Sequence, residues 1–151
     1  MKTASIVLGL ALLASAPAFA QATELEVARG IAQAERKAVV ATNLDLTEDE
    51  AVAFWPLYGD YHNERRKNDD RLASLIRNYA EHQADMTDQK AMELLKELHK
   101  IDAADLDLAK SWVKRFQKVL PDLKVLRYYQ IERKLDAVVD YGLSATIPLV
   151  K

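Results

Sequence analysis

Chain breakers are almost missing from this sequence. Beyond residue 20 the glycines are Gly30, Gly59 and Gly142, and the prolines are Pro56, Pro121 and Pro148. Tight turns and strand ends draw on those two residue types, whereas Ala, Leu, Glu, Lys and Arg favour helix. The composition therefore predicts an all-α fold of about four helices. It also argues against a glycine-rich phosphate cradle, and no P-loop, dinucleotide fingerprint or G-x-S-x-G is present.

The first helix is expected from about Glu24 to Ala41, with Leu25, Ala28, Ile31, Ala32, Glu35 and Val39 as a weak stripe and Asn43 as its stop. The second opens on Thr47-Glu48-Asp49-Glu50, a capping box with three carboxylates at the positive end of the helix dipole. It is expected to run to about Glu81, with Pro56 kinking or splitting it. Thr87 opens a third helix that reaches about Leu120. Pro121 then starts a fourth, which runs to about Tyr141 and stops at Gly142, with Pro148 in an extended tail. Helices two and three form a long antiparallel hairpin joined by His82 to Met86. The short N-terminal helix and the C-terminal helix are expected to pack at one end of it.

Along the hairpin, Phe54, Leu57, Tyr58 and Tyr61 are followed by a wholly polar stretch, His62 to Arg71. An antiparallel register sets Arg65, Arg66, Lys67 and Arg71 against Asp102, Asp105 and Asp107, as an ion-pair lattice or a ligand site. The aromatic cluster that includes Trp55 spreads over more than one helix face. One partner helix cannot cover it, so either the first and fourth helices wrap it or a second subunit does. A homodimer is expected on that ground, and because a hairpin with a polar waist would otherwise stand alone in solvent.

The first twenty residues have the marks of a secretory leader. Lys2 is followed by an apolar run from Ile6 to Leu13 and a small-x-small site at Ala18-Phe19-Ala20. The run is too short to span a hydrocarbon core of about 30 Å. The expectation is cleavage before Gln21, leaving one helical domain over residues 21–151 in the periplasm. The chain has no cysteine, so disulfides, thiol nucleophiles and Cys-ligated metals are excluded together. A formal charge of −2 argues against nucleic acid as a bulk electrostatic partner.

Catalytic groupings are sparse. Ser74, Ser111 and Ser144 have no acid–base company in sequence, and no H-E-x-x-H occurs. The reading is a binding protein with no cofactor rather than an enzyme. His62 and His99 can approach across the hairpin beside Glu64 and Asp102 or Asp105, which makes them the candidate pair for a divalent transition metal. The alternative for both is an exposed helix histidine near opposite charge.

Charge is distributed unevenly. Lys110, Lys114, Arg115, Lys118, Lys124, Arg127, Arg133 and Lys134 face only Asp122 and Glu132 in the same span. Trp112, Phe116, Tyr128 and Tyr129 are interleaved with them. A basic and aromatic surface built from Lys110, Trp112, Lys114, Arg115, Phe116, Lys118, Arg127 and Tyr128 suits an acidic, partly unfolded polypeptide or an anionic membrane face. The other reading is a core stripe, Trp112-Phe116-Val119, kept soluble by flanking cations.

Leu46-Thr47-Glu48-Asp49-Glu50 resembles the LTxxQ motif of the Spy/CpxP-like periplasmic family, with Glu50 in place of the glutamine. Val119-Leu120-Pro121-Asp122-Leu123-Lys124 stands where that family carries its second copy, with the threonine lost. The order of leader, helix, motif, long hairpin, motif and basic last helix covers nearly the whole chain. The resemblance implies an all-helical, often dimeric protein with ATP-independent chaperone or stress-adaptor activity toward unfolded or envelope proteins. In metal-sensing relatives it implies a regulatory sensor, which here would dock on a membrane partner.

Overall fold

A computed structural model describes residues 18–150, with side chains from Ile31 onward. The leader expectation falls largely on residues 1–17, outside the described residues. The fold is all-α, with four helices: α1 (Ala18–Leu44), α2 (Glu48–His82), α3 (Asp88–Phe116) and α4 (Asp122–Thr146). The chain divides into two compact units after Lys37, within α1, and the second unit holds the core.

Local sequence sets the helix starts as expected. Thr47 caps α2, its hydroxyl accepting from the Glu50 amide while the Glu50 carboxylate accepts from the Thr47 amide at 2.8 Å. Thr87 caps α3 through its hydroxyl alone, accepting from the Lys90 amide at 3.2 Å. The two helices are joined by a single turn of 3₁₀ helix, Gln83–Asp85.

Several features differ from expectation, beginning with α1, which runs from Ala18 through Asn43 to Leu44 rather than from about Glu24 to Ala41. Pro56 neither splits α2 nor ends it. It sits on the exposed face with Val52, so the carbonyl that loses its amide partner can be hydrated instead. The third helix stops at Phe116 rather than near Leu120, because the residue before Pro121 disfavours helix and Leu120 turns into the core instead. Pro121 is therefore the cap of α4 rather than its first turn, and α4 passes through Gly142 to Thr146. A mid-helix glycine costs only about 1 kcal/mol against alanine, too little to stop a helix already in progress.

The hairpin of α2 and α3 is antiparallel, with Glu64 beside Trp112 and Arg71 beside Glu97. The fourth helix runs alongside α2 in the same direction: Lys124 meets Glu50, Asp136 meets Arg65, and the Tyr79 hydroxyl donates to the Pro148 carbonyl at 2.7 Å. Its contacts with α2 thus extend well beyond one end of the hairpin.

The core is aromatic and lies at the capped end of α2. Phe54, Tyr58 and Tyr61 from α2 meet Trp112 and Phe116 from α3, Val125, Tyr128 and Ile131 from α4, and Val40 and Leu44 from α1. Ring centroids lie 4.8 Å apart for Phe116–Tyr128 and 5.3 Å for Phe54–Tyr128, the latter edge to face. One chain buries most of its own aromatic cluster, with Trp55 half-buried at its edge.

Candidate functional site

The expected basic and aromatic surface separates into two sets of residues. Trp112, Phe116 and Tyr128 are 0% exposed and belong to the core, which corrects their assignment to a binding surface. Lys110, Lys114, Arg115, Lys118 and Arg127 are exposed. Helical geometry explains the split. Trp112 and Phe116 are four residues apart and share a face with Leu108. Lys110 and Lys114 are each offset by two residues from that stripe, about 200° around the helix. Interleaving in sequence therefore becomes opposition in space.

The exposed cations differ in what holds them. The Arg115 guanidinium lies 4.2 Å above the Trp112 ring and 3.7 Å from a Glu64 oxygen. Lys110 approaches Asp107 of its own helix at 3.9 Å. Lys124 is fully engaged, donating to Glu50 and to the Asp45 carbonyl at 2.6 Å. That carbonyl belongs to the residue after α1, whose φ of 55° places it in the left-handed region used to terminate helices. Lys124 and the Thr47 amide together hold the Glu50 carboxyl below its usual range. The stability this contributes is present above the unfolded glutamate value and is lost as pH falls through the lowered one.

Lys114, Lys118, Arg127, Arg133 and Lys134 make no ion pair among the described residues. Leu106 on α3 and Leu123 and Leu126 on α4 are exposed as well. Lys114, Lys118 and Arg127 thus make the corner where α3 passes into α4 a cationic surface with aliphatic rather than aromatic companions, Leu123 and Leu126, while Arg133 and Lys134 lie farther along α4. Sequence reasoning left Leu123 out and counted Leu126 among the apolar residues of a buried bundle; the signal for their exposure was their offset from the Val125–Tyr128 stripe.

The polar waist also pairs differently from expectation. Arg65 turns away from α3, donating to Asp136 at 2.8 Å, with Glu132 at 3.7 Å and Asp69 at 3.8 Å. It lies one and two turns beyond Tyr61 and Tyr58, on the face that meets α4. Arg71 pairs with Glu97, and the amide of Asn68 donates to Asp105 at 2.8 Å. Burial alone would push the Arg65 guanidinium down, but the Asp136 hydrogen bond and charge, with Asp69, raise it instead. Burial pushes the Tyr61 phenol up to about 12; nearby Arg65 opposes this, while Glu132, Asp136 and Asp105 add to it. Burial likewise raises Tyr128, followed by the Glu132 charge.

His62 and His99 do not meet. The His62 ring lies 4.2 Å from that of Tyr58, with Nε2 3.5 Å from buried Glu132, whereas His99 is exposed on α3. The seven residues from the Glu64 level to the Arg71 level alone separate them by about 10 Å along the hairpin. Among the described residues no group of three or more His, Asp or Glu side chains could hold a metal ion. Between α2 and α3 lies a shallow groove of about 360 Å³ lined by Arg71, Ser74, Leu75, Asn78, Lys90 and Glu93. Among the described residues no helix is long and apolar enough to cross a membrane.

Comparison with protein-family models, with curated proteins and with solved structures finds no match to this chain.

Proposed function

We propose that the chain is a helical binding protein of the cell envelope, working without cofactor or catalysis, that holds acidic, partly unfolded polypeptides. The observation that carries this reading is the set of exposed, unpaired cations at the α3–α4 corner, Lys114, Lys118 and Arg127, with Leu123 and Leu126 exposed at the start of α4. Cations held apart from carboxylates remain available to an acidic client, and exposed leucines add apolar contact that needs no particular sequence. Release then follows from client folding, which withdraws the segments that were bound.

The likeness to the Spy/CpxP-like family adds support from a second direction. Its two motif stretches come together in space, Glu50 of the first accepting from Lys124 of the second. The metal-responsive alternative loses its residues, because His62 is turned toward α4 and His99 stands apart.

Suppression of aggregation of an acid-rich client by the purified protein tests the proposal. Several-fold excess is expected to suppress light scattering, and Lys114→Glu with Arg127→Glu to abolish most of that effect while leaving helical content unchanged. Suppression undiminished by the double reversal would sink the cationic corner as the site.

A further inference from the structure

The outward face of α4 carries a second pattern, which begins at the α3–α4 corner with Leu123 and Leu126 and continues past it to Tyr141. Leu123, Leu126, Gln130, Arg133, Lys134 and Tyr141 follow one another at helical spacing, and all are exposed. Leu123 is 80%, Leu126 57% and Tyr141 79% accessible. From Leu123 to Tyr141 the stripe runs about 27 Å. Apolar side chains stand at both ends and cations between them.

The acids of α4 are largely spent elsewhere. Glu132 is buried, Asp136 accepts from Arg65, and Asp122 accepts from Gln117, which leaves Asp140 as the exposed carboxylate nearest the stripe. The opposite face of the helix, at Val125, Tyr128 and Ile131, is locked into the core, so the stripe is presented on a fixed support.

We infer that this face of α4 docks on an anionic lipid bilayer surface. The stripe is the convex outer side of a single helix and offers no cleft to enclose a chain. A flat partner reaches both apolar ends and the central cations at once. Leucine at the acyl boundary, tyrosine at headgroup level and Arg/Lys against anionic headgroups are the contacts of a helix lying in a membrane interface. Docking here occupies Leu123 and Leu126, which the α3–α4 corner also uses, and leaves the α3 cations Lys110 and Lys114 uncovered.

Co-sedimentation of the purified protein with vesicles tests this. Vesicles of phosphatidylglycerol mixed with phosphatidylcholine are expected to bring the protein down, and phosphatidylcholine alone to leave it in solution. Arg133→Glu with Lys134→Glu is expected to weaken binding roughly thirtyfold or more, since each cation near an anionic surface contributes about 1 kcal/mol. Leu126→Asn should weaken it too, and neither variant should change helical content. No sedimentation with anionic vesicles, or equal sedimentation of the charge-reversed variant, overturns the inference. So does capture of soluble polyglutamate by the same residues without vesicle binding, which would make the partner an acidic protein. Retained suppression of client aggregation in Arg133→Glu/Lys134→Glu would show that the two surfaces fail or succeed separately.

Discussion

Trp112→Ala is expected to cost about 3–5 kcal/mol of folding stability, the range for emptying a buried aromatic site. The indole is 0% exposed and packs against Tyr61 and Phe116, each with its ring centroid 5.7 Å away. Its Nε1 donates to Glu64 at 3.1 Å, and the Arg115 guanidinium lies 4.2 Å from its ring centroid. Removing it loses apolar burial, leaves a cavity between α2 and α3, and frees both charged neighbours. Trp55 is only half-buried at the edge of the same cluster, so Trp55→Ala should cost clearly less. Urea unfolding of the two variants, followed by helical ellipticity, provides the comparison. Equal losses, or a loss below about 1 kcal/mol for Trp112→Ala, would mean that the core is not organised around this ring.

Arg65→Met should cost a similar amount, about 3–5 kcal/mol, for an electrostatic reason. The Arg65 side chain is 18% exposed, and its guanidinium stands between Glu132 at 4% and Asp136 at 21%. Without it, two carboxylates share a poorly hydrated space beside the Tyr61 and Tyr128 rings, and Glu132 loses a guanidinium 3.7 Å away. Removing the carboxylate as well should return part of the loss. Arg65→Met with Glu132→Leu is therefore expected to be more stable than the sum of the single changes predicts, with a coupling of about 1–3 kcal/mol in a double-mutant cycle. Strict additivity would show that Arg65 and Glu132 do not act on one another.

Features fixed by near neighbours were legible in the sequence. The capping residues Thr47 and Thr87 need partners only three positions away, and both form as read. Phe54, Tyr58 and Tyr61 at helical spacing announced a buried face, and the fourth helix was rightly expected to help cover it. Pro56 misled because its penalty depends on where its face points, which spacing around one proline does not fix. The partner of Arg65 lies 71 positions away, on a helix whose path along α2 no local pattern encodes. The binding surface misled for a geometric reason: Trp112 and Phe116 alternate with Lys110 and Lys114 along the chain, yet a two-residue offset on a helix turns them to opposite sides. Applying that offset would have placed the rings in the core and drawn Leu123 and Leu126 into the surface.

Trp112 therefore separates the two accounts of the site. Trp55→Phe leaves it as the single tryptophan, since the chain holds two. Acrylamide quenching of its fluorescence, with and without an acid-rich client, then reports whether a ring or a cation meets the partner. A core indole predicts blue-shifted emission that acrylamide barely quenches, unchanged when client is added. Red-shifted, readily quenched emission in the free protein, or protection gained on client binding, would place Trp112 on the binding surface and contradict a sealed aromatic core beneath a cationic face.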